Sequence, residues 1–405
     1  MPKKNRLGAK KKTQKPISRP AKPPRQAQEL GQERPAKKDD LSLPKLKLVG
    51  IGGAGGNALT RMQGLLRGVE TIALNTDVQD FKMCDASRKI QIGKTVASGR
   101  GAGMNPEIGR QSAEESAEEI EKALEGSELV FITCGLGGGT GSGAAPVVAR
   151  IARSKGMLCV AIVTMPFSFE GSERHHIATQ AWSQLHESVD ALITVSNDRV
   201  FNVIAADTSL KKAFWHIDEI LREGVHAIYD VIMRPGLINV DFADVKSILQ
   251  NSGSALLGMG MARGKDRAAD AAKRAIASPL LDMTIENAHR VLFHIASRED
   301  LTMFEVQQAA QTITSSISQD ARVIFGATFD HSLEKGDLKI TVIASGFDEP
   351  QKSFTGRSLP LYERKDASQF KTEDESVAQK DILGEKIKQF ENLDEPAFLR
   401  RKKIQ

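Results

Sequence analysis

The chain has 405 residues, of which 40% are hydrophobic and 26% are charged, and its formal net charge is +5. This length and composition predict a globular protein of about two domains with additional tails. We expect no membrane-spanning helix, which needs roughly 18 to 20 apolar residues, and no secretory signal, because the charged N-terminus lacks an apolar core. Three cysteines, Cys84, Cys134 and Cys159, have no metal-ligand spacing and favour a reducing cytoplasm.

The positive charge is concentrated at the N-terminus. Residues 1–38 contain thirteen Lys and Arg against two Glu, a net charge of +11, so the other residues sum to −6. Residues 1–44 have almost no large apolar side chains, and a segment that buries little apolar surface is expected to be a disordered arm. The arm would keep the protein soluble or contact anionic lipid or nucleic acid, and we do not expect a specific nucleic-acid function.

The first predicted strand, residues 46–49, leads into a glycine-rich loop and a predicted helix at residues 58–66. Gly50, Gly52 and Gly55 satisfy Gly-x-Gly-x-x-Gly, the fingerprint of dinucleotide-binding folds. The second strand ends in Asn75-Thr-Asp77, where that fingerprint places an acidic ribose ligand. One interpretation is therefore a nicotinamide-dependent oxidoreductase.

A second and richer glycine loop, Gly135–Gly143, weighs against that interpretation. It follows an apolar strand, residues 128–133, and precedes a helix predicted to start near Pro146. Its closely spaced glycines let backbone N–H groups surround a phosphate, and the hydroxyls of Thr140 and Ser142 would add donors. The loop has no lysine and is not a P-loop. A flexible turn is the alternative interpretation.

The run Gly137-Gly-Gly-Thr-Gly-Ser-Gly143 resembles the signature of the tubulin superfamily, and the motifs across residues 45–348 resemble its FtsZ family. The resemblance implies an α/β fold: a doubly wound parallel-sheet GTPase domain, a long central helix, and a second, smaller α+β domain with a mixed sheet. It implies GTP and GDP as ligands, with Mg²⁺ bound through the nucleotide phosphates and no protein metal ligand.

The resemblance also implies a set of nucleotide contacts. Several loops would converge on the phosphate chain: Gly52, Gly53, Ala54, Gly55, Gly56, Asn57, Asn75, Gly101, Ala102, Gly103, Gly137, Gly138, Gly139, Thr140, Gly141, Ser142 and Gly143.

The ribose and base contacts implied by the resemblance come later in the chain. Glu170 and Arg174 would bind the ribose, Asn197 would lie near ribose and base, Phe214 would stack on guanine, and Asp218 would accept from its N1–H and N2–H2 groups. Without the resemblance, Glu170 and Arg174 would be interpreted as a surface ion pair and Asp218 as an exposed helical carboxylate.

The spacing of apolar residues predicts a long helix that Ser209 caps and that runs to about Met233, ended by Pro235-Gly236. Asp218 precedes Pro235 by 17 residues, which corresponds to about 26 Å along a helix. A loop beyond this helix is therefore too far away to reach the nucleotide of its own subunit.

Asn239, Asp241 and Asp244 follow that helix and match the family's catalytic loop, in which they would polarise the water that attacks the γ-phosphate. Asp241 could equally cap the next helix. Combined with the length estimate, the resemblance implies head-to-tail filaments in which one subunit completes the site of its neighbour.

We expect six segments: a basic disordered arm at 1–44, a GTP-binding domain at 45–208, the central core helix at 209–234, a C-terminal α+β domain at 235–348, a flexible linker at 349–389 and a docking peptide at 390–405. In the α+β domain we predict strands at 253–260, 323–327 and 339–344, and helices at 266–276 and from 301 onwards. Residues 296–300, Ala-Ser-Arg-Glu-Asp, stand at a turn where the family usually has glycines.

The C-terminal residues 393–401 resemble the peptide by which the family binds membrane-tethering division adaptors. Pro396, Phe398 and Leu399 would enter a groove, and Glu395 departs from the usual aliphatic residue. This implies a scaffold of the division (Z) ring, cytoplasmic and at midcell. The alternatives are a frayed tail and a tubulin-like filament protein for plasmid partition or cell shape.

Overall fold

A computed structural model of the protein describes residues 44–347 except residues 65, 67, 203, 206, 235 and 278–283. The predicted basic arm up to residue 43, Pro235, the linker and the docking peptide lie outside the described residues. Within the described range, no helix has the length and apolar character needed to cross a membrane.

Strands and helices alternate along the first half of the described chain. The elements are β1 Leu46–Ile51, α1 Gly52–Met62, β2 Glu70–Asn75, α2 Val78–Met83, β3 Arg88–Gln91, α3 Pro106–Glu115, α4 Ala117–Leu124, β4 Leu129–Gly135, α5 Gly139–Ser154, β5 Leu158–Met165, α6 Ser172–Ser188 and β6 Ala191–Ser196. These strands are parallel in the order β3-β2-β1-β4-β5-β6. β5 is buried along its whole length, as expected for a strand that helices cover on both faces.

The second half continues the same sheet. Its elements are α7 Leu210–Met233, α8 Phe242–Leu249, β7 Gly253–Arg263, α9 Arg267–Ile276, β8 Ala288–Ser297, α10 Met303–Thr314, β9 Arg322–Phe329 and β10 Asp337–Phe347. β7 pairs in parallel with the first residues of β6. β10 lies antiparallel between β7 and β8, and β9 forms the edge. The predicted fold class, with a parallel part and a mixed part, is confirmed.

The helix α7 connects the two parts because its faces differ. Leu221, Val225 and Ile228 are buried in a core shared with β1, β4 and β5. On the charged side, Glu223 binds Lys339 of β10 at 2.9 Å. The helix starts after Ser209, whose hydroxyl accepts from the Lys212 N–H, and it ends at Met233 as predicted.

Two predicted helix starts were wrong. α1 begins at Gly52 and not at Ala58, and α5 begins at Gly139, so Pro146 lies inside the helix. Glycine is a poor helix former, which led the prediction to place the boundary after the glycines. Tertiary packing overrides that preference here, because a Cβ on Gly55 would lie 2.5 Å from the Thr133 carbonyl oxygen. The glycines let the first turns of these helices contact neighbouring backbone directly.

The segment that lacks the family's glycines is held by charged groups. The Asp300 carboxylate accepts hydrogen bonds from the buried Arg267 at 2.9 Å and from the Gly336 N–H at 3.1 Å. Arg267 also donates to Glu305, which caps the start of α10. Ion pairs therefore hold this turn in place.

Candidate active site

A cavity of about 520 Å³ lies beside the carboxyl ends of β2, β5 and β6, within the range of small-molecule sites. Residues from α1, α2 and α7 complete its wall. Eleven of the predicted nucleotide contacts line it: Gly52, Gly53, Ala54, Gly56, Asn57, Asn75, Glu170, Arg174, Asn197, Phe214 and Asp218. The fold thus brings together residues that are far apart in sequence.

The other predicted phosphate contacts are not part of the cavity wall, although they pack against its loops. Gly55 lies against β4. Gly101 donates its N–H to the Thr76 carbonyl at 3.2 Å. A Cβ on Gly52 would lie 3.4 Å from the Gly141 nitrogen, so the first and second glycine loops are neighbours. A Cβ on Gly139 would lie 2.7 Å from that of Ala102, which joins the segment Gly101–Gly103 to the second loop, Gly137–Gly143.

The two hydroxyls of the second loop already have protein partners. The Thr140 hydroxyl lies 2.7 Å from that of Thr76, and both side chains are buried. The Ser142 hydroxyl accepts from the Gly137 N–H at 2.9 Å within the same loop. Both hydroxyls therefore stabilise the loop, a role that the sequence does not reveal, since Thr76 lies 64 residues away from Thr140.

Glu170 and Arg174 form an ion pair at 2.7 Å that is part of the cavity wall. The second oxygen of Glu170 accepts from the Phe167 N–H at 2.9 Å and holds the short turn Ser168–Glu170. The carboxylate is thus oriented by its own turn as well as by the arginine. An ordinary surface ion pair has no such support.

At the α7 side of the cavity an aromatic ring and a carboxylate lie one helical turn apart. The Phe214 ring packs edge-on against Phe167, with centroids 5.7 Å apart. The Asp218 Oδ2 accepts from the Arg61 Nε at 2.9 Å. Burial raises the pKa of Asp218 to about 6, although Arg61 acts in the opposite direction. A nucleobase could stack on the Phe214 ring and donate its N–H groups to the Asp218 carboxylate.

Asn239, Asp241 and Asp244 lie beyond the other end of α7 and do not line the cavity. The Asn239 Oδ1 accepts from the Gly236 N–H at 2.7 Å. Asp241 is exposed and precedes α8 without a side-chain capping bond, so the capping alternative is not observed. α7 has 24 residues, which corresponds to about 36 Å. A single chain therefore keeps these three side chains apart from its own cavity.

Comparison with known proteins identifies the family. The model of the Tubulin/FtsZ family GTPase domain matches residues 45–205, and that of the FtsZ family C-terminal domain matches residues 253–348. A structure of FtsZ from M. jannaschii, described as an empty dimer, is 43% identical over 75% of this chain and 88% of that chain, with a TM-score of 0.71. The chain belongs to the tubulin/FtsZ family.

A second similar structure is that of CetZ2 from Haloferax volcanii, described as a GTPγS-bound protofilament. It is 26% identical, covers 74% of this chain and 92% of that chain, and has a TM-score of 0.64. Membership of the tubulin/FtsZ family makes the chain a GTPase that binds GTP and GDP. It removes the nicotinamide-dependent oxidoreductase as an interpretation, because the glycine fingerprint here belongs to a GTPase domain.

This tubulin/FtsZ chain also has cavity residues that the sequence analysis missed. They are Ala73, Leu74, Asp80, Phe81, Cys84, Thr164, Ile217 and Leu221. Most come from strand ends or an apolar helix face, where the pattern indicates core and gives no functional signal. Arg61 was missed as well, since nothing local connects it to Asp218.

Proposed function

We propose that the protein is a GTP-dependent polymerising cell-division protein that forms head-to-tail filaments and hydrolyses GTP between stacked subunits. The observation that carries the proposal is the separation of Asp241 from the cavity of its own chain along α7. A site divided in this way is completed when the far end of one subunit meets the cavity of the next. Such a contact is heterologous and propagates into a filament.

GTP occupies the cavity in this proposal. The guanine lies between Phe214 and Asp218, the ribose contacts Glu170 and Arg174 with Asn197 nearby, and the phosphates reach the two glycine loops and the segment Gly101–Gly103. Asp218 accepts hydrogen bonds from a guanine edge, whereas adenine presents a different edge. Each of these residue assignments is a proposal. It is supported by the finding that the base and ribose residues line a single cavity.

In this proposal, Mg²⁺ binds together with GTP as part of the substrate. The described residues contain no group of three or more His, Cys, Asp or Glu side chains that could hold a metal ion. The loops beside the cavity are glycine-rich and offer backbone N–H donors, which bind phosphate oxygens and not cations. The ion would therefore arrive with the nucleotide, on its phosphates.

Hydrolysis in this proposal depends on positioning and electrostatics. Asp241 and Asp244 of the subunit behind accept hydrogen bonds from the attacking water, and Asn239 helps to orient it. Asp241 is suited to this role because it is exposed and its side chain makes no capping bond to α8. Asp244 lies 3.8 Å from Arg322, a distance that leaves its carboxylate only loosely held.

Exposed apolar side chains near the cavity and in the second half of the chain support the head-to-tail contact. Phe169 is 64% exposed and Phe201 54% exposed, and both pack on Phe167 near the cavity. Leu237, just beyond the far end of α7, is 56% exposed, and Phe304, in the first turn of α10, is 79% exposed. Exposed apolar groups of this size commonly mark contact surfaces. Exposed apolar groups near the cavity and beyond the far end of α7 favour stacking.

The division role is favoured over other filament roles by two comparisons. The chain is 43% identical to FtsZ and 26% identical to CetZ2, and its second half matches an FtsZ C-terminal-domain model. In the proposal, residues 390–405 bind membrane-tethering division adaptors and place the filament at the cytoplasmic midcell division site. The six segments described above remain part of this proposal.

The decisive experiment measures phosphate release from GTP per subunit as a function of protein concentration. We expect the rate to rise above a threshold concentration and to fall by about 100-fold or more in Asp241→Ala. This variant should still bind GDP. Glu118→Ala removes an exposed carboxylate from α4 and serves as control. A rate that is independent of concentration would overturn the filament mechanism.

A mixing experiment tests the divided site directly. Asp241→Ala retains the cavity, and Asp218→Asn retains the catalytic loop. An equimolar mixture should release phosphate faster than the two variants measured separately, because one of the mixed contacts pairs an intact cavity with an intact loop. A mixture no faster than its components would indicate that the site is complete within one chain.

A further inference from the structure

Arg61 contacts the base end of the cavity from outside. It lies in the last turn of α1, and its Nε donates to the Asp218 Oδ2 at 2.9 Å. The side chains are only 18% and 13% exposed. Asp218 lines the cavity, whereas Arg61 is not part of the lining. The arginine thus binds one oxygen of the carboxylate, and the described residues provide no donor for the other oxygen, Oδ1.

The charge state of Asp218 decides which nucleobase it can recognise. An ionised carboxylate only accepts hydrogen bonds, whereas a protonated one carries an O–H donor. Guanine presents the N1–H and N2–H2 donors to such a group. Adenine presents an N1 acceptor beside its N6 donor, which matches a protonated carboxyl group. Guanine selectivity therefore requires that Asp218 remain ionised when the cavity is filled.

Burial opposes that ionisation. It is the largest influence on Asp218 and raises its pKa to about 6, with Arg61 as the group that lowers it. The neighbouring Glu219 raises it further. The other ionisable groups that line the same cavity are Asp80, Cys84, Glu170 and Arg174. Arg174 is paired with Glu170, so Arg61 is the cation that binds Asp218 among the described residues.

We propose that Arg61 is a positioning residue for base recognition: it holds the Asp218 carboxylate in place as a pure acceptor and so sets the preference for guanine over adenine. This inference rests on the proposed assignment of Asp218 to the guanine. It adds a residue that does not touch the base and acts through Asp218. It also explains why a half-buried arginine stands one turn after Asn57 on a helix that otherwise carries the proposed phosphate-binding glycines.

The test compares the affinities of the full-length protein for GDP and ADP across pH. In the wild type, GDP affinity should fall as the pH drops through about 6. In Arg61→Gln we expect this fall to begin at higher pH, and the ratio of GDP to ADP affinity at neutral pH to decrease by about tenfold. Arg61→Lys retains a cation and should restore most of the ratio. A merely structural arginine would leave the pH profile unchanged.

Arg263→Gln removes an exposed arginine of β7 that pairs with Glu334, away from the cavity, and serves as the matched control. A folded Arg61→Gln protein with the wild-type ratio and pH profile would overturn the role of Arg61 and leave the guanine assignment intact. A wild type that binds GDP and ADP equally would overturn both. Should Arg61→Gln not fold, a wild-type GDP affinity that is constant from about pH 5 to pH 7 would overturn the inference.

Discussion

The two ends of α7 are built differently. At the cavity end, glycine backbones pack closely, a pair of buried hydroxyls joins two loops, and the candidate contacts already surround a cavity. At the far end, Asp241 and the apolar side chain of Leu237 are exposed. The candidate binding site is thus formed within the single chain, whereas the proposed catalytic groups do not line that chain's cavity. In the proposed function, each chain therefore carries one half of each of two different sites.

The means of stabilisation differ as well. Close backbone contacts by glycines are numerous at the cavity end. The far end carries a cluster of charged groups: Arg234 binds Asp230 at 2.8 Å and Asp330 at 3.3 Å, and the buried His294 packs near them. Close backbone packing is sensitive to added volume, whereas a buried ionisable group is sensitive to pH. The glycine contacts of the cavity end should therefore respond to added volume, and the stability contribution of His294 should respond to pH.

The largest effect should come from adding one methyl group at the cavity end. In Gly143→Ala, the new Cβ would overlap the Pro106 carbonyl oxygen and the Arg110 nitrogen, both of which belong to the backbone of α3. Since backbone cannot move aside as a side chain can, we expect a loss of about 3 kcal/mol in the free energy of unfolding. Urea denaturation measures it. Gly138→Ala, where a Cβ would meet nothing within 4 Å, is the control. Equal stability of both variants would contradict the packing argument.

The next effect concerns pH at the far end. Burial lowers the pKa of His294 to about 4, whereas an unfolded histidine titrates near 6.5. Below about pH 6.5 the unfolded chain binds a proton that the folded chain does not. The free energy of unfolding therefore decreases as the pH is lowered, until His294 also protonates in the folded chain near pH 4. This residue should remove about 2 kcal/mol of unfolding free energy between pH 7 and pH 5.

His294→Gln should lack that component, whereas replacing the exposed His331 by Gln should retain it. Denaturation at the two pH values compares them. An unchanged pH dependence in His294→Gln would show that other groups cause the loss of stability at low pH. His294 would then not be the source of pH sensitivity at the far end.

The smallest effect should appear only on assembly. Phe304→Glu places a charge on an exposed apolar site of α10 and should leave folding and GDP binding unchanged. The concentration at which phosphate release rises should increase by about tenfold, equivalent to about 1.4 kcal/mol of contact free energy. Gln307→Glu adds the same charge to an exposed position of that helix and controls for electrostatics. An unchanged threshold would remove Phe304 from the contact.

The sequence alone determined the family, the fold class and the course of α7, because glycine signatures, apolar periodicity and a serine cap are local patterns. It placed the starts of α1 and α5 too late, since local propensity favours a loop wherever glycines cluster. It missed β3 and β8 as well. Its site residues converge in part, with eleven of them on one cavity wall.

Only the tertiary structure decided how those residues are held. Arg61 and Asp218 are 157 residues apart, and no periodicity or propensity connects them. The same is true of the hydroxyls of Thr76 and Thr140, and of the glycines that contact backbone of another element. Local patterns report what a segment prefers by itself. Burial, the pKa shifts it causes and the pairing of distant side chains arise only when those segments pack together.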